Sequence, residues 1–320
     1  LYMLPLLVIL SIVSFGILQA QPGDFLTQYR FNPRISQETL NQVAHNLGLD
    51  RPLYVQYWYW LKGIITRGDF GYSFERHMPV TRIFAQWLPF TFLVTIPTLV
   101  FAWIVAIPLG IYSATHQYKI SDHFFTFFGF LGLSIPNFFL ALILLYILAV
   151  PLGAGSVGGL FTQENMSGSP WPWFWSWAKF KDYLVHLWPV IVAIGTSAVA
   201  GLMRQMRGNL LDILGEQYVQ TARAKGLRER VVIYKHAVRN AINPLVSIFG
   251  LSLPYLIEGT LLSAIVLNLP TVERVYFQAL LRQDTYVVMT LLMFFSFALL
   301  FGNLLADIML AVVNPKIRYD

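Results

Sequence analysis

The chain has 320 residues, of which 56% are hydrophobic and only 12% charged, with a mean hydropathy of +0.58. A soluble domain averages about 25% charged residues, so this composition excludes an ordinary soluble globular protein and requires much of the surface to face lipid. The formal charge of +6 points first to basic cytoplasmic loops rather than nucleic-acid binding, and the lack of cysteine excludes disulfides, a thiolate nucleophile and Cys-ligated metal sites.

Six apolar runs are long enough to span a bilayer at about 20 residues each. They cover residues 1–19, 87–113, 124–150, 184–203, 245–267 and 286–313 and predict an all-α membrane protein with six transmembrane helices. The first, LYMLPLLVILSIVSFGIL, has no basic flank and is followed by QAQPGD rather than a small-residue cleavage pattern. It reads as a membrane helix whose native N-terminus extends beyond Leu1, with a cleaved signal peptide as the competing reading. Residues 20–86 form a polar insertion that reads as a small folded cap. Ile35 to Leu49 has a helical pattern opening at Ser36, with Thr39 three residues on. Leu53, Tyr57, Trp60, Leu61 and Ile64 then recur at helical spacing, and GDFGYS at 68–73 reads as a turn. In the second apolar run, Pro89, Pro97 and Pro108 each remove a backbone donor and predict kinks.

The loop 151–183 contains Gly153-Ala-Gly155-Ser-Val-Gly158, a match to G-x-G-x-x-G. A dinucleotide fingerprint needs a strand before it and a helix after it; here an apolar span precedes and a Gly/Ser/Trp loop follows, so the match is read as chance. The WPWFWSW cluster at 171–177 is read as an interfacial aromatic belt, with a ring-stacking ligand site as the alternative. No G-x-x-x-x-G-K-[ST], H-E-x-x-H or G-x-S-x-G occurs, so no catalytic residue and no metal site is assigned. Glu258 and Asp307 are the acidic residues inside apolar runs. Such groups are functional candidates by default, set against structural pairing or water exposure. Ion-coupled carriers place charges or unwound helices at the midplane, and this chain offers little of that kind.

Orientation follows from basic residues. With 204–240 inside, the inside segments hold eleven Lys/Arg: Lys119, Arg204, Arg207, Arg223, Lys225, Arg228, Arg230, Lys235, Arg239, Lys316 and Arg318. The two short outside loops hold four, Lys179, Lys181, Arg274 and Arg282. Both termini are therefore expected inside. The stretch 216–244 is the longest polar, basic segment between two apolar runs, and its Ala222-x-Ala224-x-Gly226 pattern marks a docking element. The alternative is a basic amphipathic helix lying on anionic lipid.

Taken in order, many short motifs coincide. They include Pro22-Gly23-Asp24, Gly48-Leu49-Asp50-Arg51-Pro52, Gly68-Asp69-Phe70-Gly71-Tyr72-Ser73, Leu88-Pro89-Thr91, Ile107-Pro108-Leu109-Gly110 and Ser134-Ile135-Pro136-Phe138. They continue through Tyr218-Val219-x-Thr221-Ala222-Arg223-Ala224-Lys225-Gly226-Leu227, His236-Ala237-x-Arg239-Asn240-Ala241 and Asn314-Pro315-Lys316-Ile317-Arg318-Tyr319. Over essentially its whole length the chain resembles the membrane subunit of bacterial binding-protein-dependent ABC importers, the dipeptide/oligopeptide/nickel family. The resemblance implies a type I importer permease fold in the inner membrane and a non-catalytic pore subunit. It implies as partners a second permease, two ATP-binding subunits, an extracytoplasmic substrate-binding protein and membrane lipid, with no nucleic acid. It implies no cofactor in this chain, with ATP and Mg bound by the partner subunits. Residues 204–240 become the coupling loop, whose EAA-type helix docks on the ATP-binding subunit through Glu216, Tyr218, Thr221, Ala222, Arg223, Ala224, Lys225 and Gly226. The small alanines are expected to permit close approach, the arginines to meet an acidic rim, and Gly226 to end the helix. Two departures stand out. Thr271 and Glu273 occupy positions where the family tends to place glycine, and Glu258 one where a small residue is common, which makes all three candidates for the outer gate or substrate path. Di- or oligopeptides are the expected cargo, with nickel chelates, glutathione and oligosaccharides as alternatives.

Overall fold

A computed structural model describes residues 3–20, 26–30, 36–47, 50–154, 158–162, 176–258 and 260–313. Its described residues are almost entirely helical, with one two-residue hairpin pairing Tyr72–Ser73 with Met78–Pro79. Contacts divide the chain into two compact units: Leu1–Phe90 with Thr271–Phe297, and Thr91–Pro270 with Ala298–Asp320.

Among the described residues, three helices are long and apolar enough to cross a membrane: Val80–Thr115, Trp177–Leu214 and Thr285–Val313. The first is one continuous helix through Pro89, Pro97 and Pro108. The apolar run 124–150 is two helices, Ile120–Ser134 and Asn137–Ala149, bent by 101° at their junction. The cause is local. Pro136 crowds the residue before it out of the helical region, and Ile135 is extended at φ −90°, ψ 121°. A fourth span exists only if this bent pair counts as one. The apolar helices Pro5–Ala20 and Asn243–Ser252 are shorter than a straight span, and the run 245–267 is divided between Asn243–Glu258 and Leu261–Val266.

In the first unit, Met3–Ala20 packs against Leu53–Arg67. Phe15, Trp60 and Met289 are buried together, with Tyr57, Leu61 and Ile64 against them. Of the helical series expected from Leu53, Trp60 is the buried member and Leu53 itself is exposed. The helix expected over 35–49 is formed over Gln37–Leu47. GDFGYS is more than a turn. Gly68 closes Leu53–Arg67 at φ +62°, the Gly71 N–H donates to Asp69 Oδ1 at 2.9 Å, and Tyr72–Ser73 starts the hairpin. Three bonds anchor the segment. Trp60 Nε1 donates to the Phe70 carbonyl at 3.1 Å. The Ser73 hydroxyl donates to Asp284 Oδ2 at 2.5 Å and the Glu75 N–H to the same oxygen at 3.3 Å. Asp284 directly precedes Thr285–Val313, so it ties the hairpin to the start of that helix.

In the second unit, Trp177–Leu214 is the central element; at 1.5 Å per residue it is about 57 Å long. It crosses the Val80–Thr115 helix closely at Gly110, where an added Cβ would lie 2.7 Å from Met206 Cβ and 2.8 Å from the Met203 carbonyl oxygen. Met206 and Leu210 are fully buried there beside Ala102 and Ala106. Gly153 follows the helix Asn137–Ala149 rather than a strand, and residues 155–157 of the G-x-G-x-x-G match lie outside the described residues. The same holds for Trp171, Trp173 and Trp175.

Candidate functional site

The basic loop after the long helix folds as a short, well-terminated helix standing on its own chain. Gly215 ends Trp177–Leu214. Glu216, extended at φ −67°, ψ 144°, precedes the helix Gln217–Ala224. Its backbone carbonyl accepts from the N–H groups of Val219 and Gln220, while its carboxylate makes no capping bond. The Gln220 side-chain amide donates to the Leu214 carbonyl at 3.1 Å and locks the two helices at their corner.

The other end of the helix is a Schellman closure. The Gly226 N–H donates to the Arg223 carbonyl at 2.9 Å and the Leu227 N–H to the Ala222 carbonyl at 3.4 Å. Gly226 sits at φ +74°, in the left-handed region that glycine enters without a Cβ penalty.

The two alanines of the motif face opposite ways. Val219 and Ala222 are buried in a cluster with Leu210, Val232, Ala237 and Ala241. Ala222 therefore packs against its own chain, while the motif reading expects both alanines to permit close approach. Gln217, Gln220, Thr221, Ala224 and Lys225 are exposed and form the outward stripe at i, i+3, i+4, i+7 and i+8. The small residue available for close approach from outside is Ala224. Arg223, expected to meet an acidic rim, has an acidic neighbour on its own chain. Its guanidinium pairs with Glu229 at 2.8 Å on the segment that follows. Tyr218 is exposed, and its hydroxyl accepts from Asn240 Nδ2 at 2.8 Å.

The segment after Gly226 explains how the helix is held. Residues Val232–Val238 form a π-helical run. Widening the turn to i→i+5 bonding brings Val232 and Ala237 onto one face, and both are fully buried beneath Val219 and Ala222. An α-helix would separate residues five apart by about 140° around its axis. Arg239, just beyond, donates through Nε to the Val313 carbonyl at 3.0 Å, the last helical residue of Thr285–Val313. A cation at a helix C-terminus also complements the helix dipole.

A second constellation, not singled out in the sequence, lies at the other end of the same packing. Asp122, 2% exposed, receives Arg207 Nε at 2.9 Å and Nη2 at 2.8 Å. The Ser113 hydroxyl, the Tyr118 N–H at 3.0 Å and the Thr126 hydroxyl at 3.3 Å also donate to it. It joins the end of Val80–Thr115, the start of Ile120–Ser134 and the long helix. The only sequence signal was the position of Asp122 and Arg207 just outside apolar runs.

Of the three candidate outer-path residues, Thr271 and Glu273 are buried, at 2% and 3% exposed, at the start of the helix Val272–Leu281. Glu258 ends Asn243–Glu258, and its side chain lies outside the described residues. Asp307 is exposed on Thr285–Val313 and pairs with no described residue. Among the described residues, no group of three or more His, Asp or Glu could hold a metal ion.

Glu273 Oε2 has no hydrogen-bond partner, and burial pushes its carboxyl from 4.5 up to about 7. A carboxyl with a folded pKa above its unfolded value gives stability that is complete below the unfolded pKa. That stability is lost as pH rises through the folded one. At 1.36 kcal/mol per unit, the loss between pH 4.5 and 7 is about 3 kcal/mol. Thermal unfolding in detergent at pH 5 and pH 8 should show this loss in the wild type and little of it in Glu273→Gln. Equal pH dependence in the two proteins would remove Glu273 as its source.

Residues 106–319 match the family described as the binding-protein-dependent transport system inner membrane component, and residues 2–95 match its N-terminal component. The chain belongs to this permease family. It is 36% identical over 317 residues to the oligopeptide transport system permease protein AppB of Bacillus subtilis, covering 99% of this chain and 96% of the relative. It is 30% identical to the dipeptide transport system permease protein DppB of Escherichia coli, over 99% and 96% of the two chains. The glutathione transport system permease protein GsiC of Shigella boydii is also 30% identical at the same coverage. The permease is thus a multi-pass, helical membrane protein related to importer subunits for peptide-type substrates.

Proposed function

We propose that this permease is the pore-forming subunit of an ATP-driven importer of di- or oligopeptides. It pairs with a second permease, two ATP-binding subunits that hold ATP and Mg, and an extracytoplasmic substrate-binding protein, and does not itself catalyse hydrolysis. Six spans place both termini and residues 204–240 inside, with 20–86 as an extracytoplasmic cap. What supports this most is the helix Gln217–Ala224, whose inner face is buried in the core around Leu210 while its outer face is polar and open. A partner that moves this helix moves the long helix Trp177–Leu214 with it. ATP would drive import by binding preferentially to the outward-facing state, since only differential affinity shifts a conformational equilibrium.

The test is reconstitution of the permease with its partner subunits and binding protein in vesicles. Uptake of short peptides should require ATP and the ATP-binding subunits. Uptake driven by a proton or sodium gradient without those subunits would instead establish an ion-coupled carrier. The ligand retained by the purified binding protein separates peptides from nickel chelates, glutathione and oligosaccharides.

A further inference from the structure

A cavity of about 220 Å³ opens between Ile120–Ser134 and the long helix, lined among others by Gly129, Phe130, Leu133, Arg204, Arg207 and Gly208. Its two cations are not equivalent. Arg207 is held by Asp122. Arg204, one turn away on the same face, has no hydrogen-bond or ion-pair partner among the described residues, and its guanidinium lies over the Phe130 ring at 5.5 Å.

The level of the cavity along the helices is set by sequence. Arg204 is the first charged residue after the uncharged run 187–203, and Asp122 is the last acidic residue before the run 124–150. The Asp122–Arg207 bonds bring these two boundaries side by side. The cavity therefore sits where the hydrocarbon layer meets the headgroups, and exposed Phe127, Phe130 and Leu133 continue from it into the apolar run. Gly208 leaves it open, since a Cβ added there meets nothing within 4 Å. At this size it falls below the roughly 300–1,000 Å³ of pockets that enclose drug-sized molecules.

We propose that this groove binds an anionic phospholipid, with Arg204 forking to the phosphate oxygens and an acyl chain lying along Phe130 and Leu133. A guanidinium matches phosphate geometry with paired N–H donors, and basic clefts between membrane helices suit anionic headgroups. The proposed topology enters only in naming the leaflet, which is the inner one. Lipid retention is read without transport, so this proposal and the import function fail separately.

The full-length permease, purified with its partner subunits in mild detergent, should be titrated with phosphatidylglycerol or phosphatidylcholine and read by native mass spectrometry. At least one phosphatidylglycerol should bind about tenfold more tightly than phosphatidylcholine. Arg204→Gln should reduce that preference to under threefold and Arg204→Lys should keep part of it. Gly208→Leu, which fills the groove without changing charge and with a better helix former, should remove the same bound lipid. Arg228→Gln, on the exposed loop, should leave it in place. Equal binding of the two lipids, or an unchanged preference in both Arg204→Gln and Gly208→Leu, would overturn the site. So would displacement of the lipid by a soluble peptide through its carboxylate, which would make the groove part of the substrate path.

Discussion

Asp122→Ala is expected to destabilise the permease by about 3 kcal/mol, measured as loss of thermal or denaturant stability in detergent. Removing one member of a buried ion pair costs about 3–5 kcal/mol because the other charge is left uncompensated. Here Asp122 is 2% exposed and Arg207 24% exposed, which places the effect at the lower end of that range. The Ser113 hydroxyl and the Tyr118 N–H lose their acceptor as well. The double variant Asp122→Ala/Arg207→Ala should recover part of the loss, because no charge is then stranded. A cycle of the four proteins should return an interaction energy well above the roughly 0.3–0.5 kcal/mol error of additivity for independent sites. Strictly additive single and double variants would mean that the bidentate pair does not hold the three helices together.

Gly226→Val should lower ATP-dependent uptake about tenfold while the amount of permease in the membrane stays near normal. Gly226 is at φ +74°, where a side-chain-bearing residue costs about 1–2 kcal/mol and a β-branched one more. That cost falls on the two closing bonds to the Arg223 and Ala222 carbonyls, so the outward stripe ending at Ala224 and Lys225 loses its fixed geometry. The inward side chains of Val219 and Ala222 are unchanged by the substitution, and their buried packing keeps the chain folded. Gly226→Asn should retain most uptake, because asparagine tolerates the left-handed region. Normal uptake by Gly226→Val, or equal failure of the valine and asparagine variants, would show that this backbone conformation is not what coupling needs. Ala222→Glu is the less discriminating variant. Its carboxylate would enter the core formed with Leu210 and Val232, and lost uptake would follow from local misfolding alone.

The class of protein and the place of the short helix Gln217–Ala224 were legible from residues because both rest on local chemistry. Apolar runs of bilayer length, the Lys/Arg distribution and the Ala222-x-Ala224-x-Gly226 spacing need no partner to be read. Gly226 was expected to end the helix and does so at positive φ. The bend at Ile135 was missed although Pro136 was visible, because the run was judged by composition, and composition does not register a single extended residue. The prolines of Val80–Thr115 do not end the helix, which is continuous through all three.

The sequence by itself determined that this is a basic, helical membrane chain of the importer-permease family with a small-residue motif in its longest basic polar segment. The tertiary structure alone decided which way that motif faces. Periodicity locates a face but not its neighbour, so only packing against Leu210, Val232 and Ala237 could turn Ala222 inward and leave Ala224 outward. It alone also joined Asp122 to Arg207 across 85 residues of sequence, because ion pairs between distant segments depend on where helices cross.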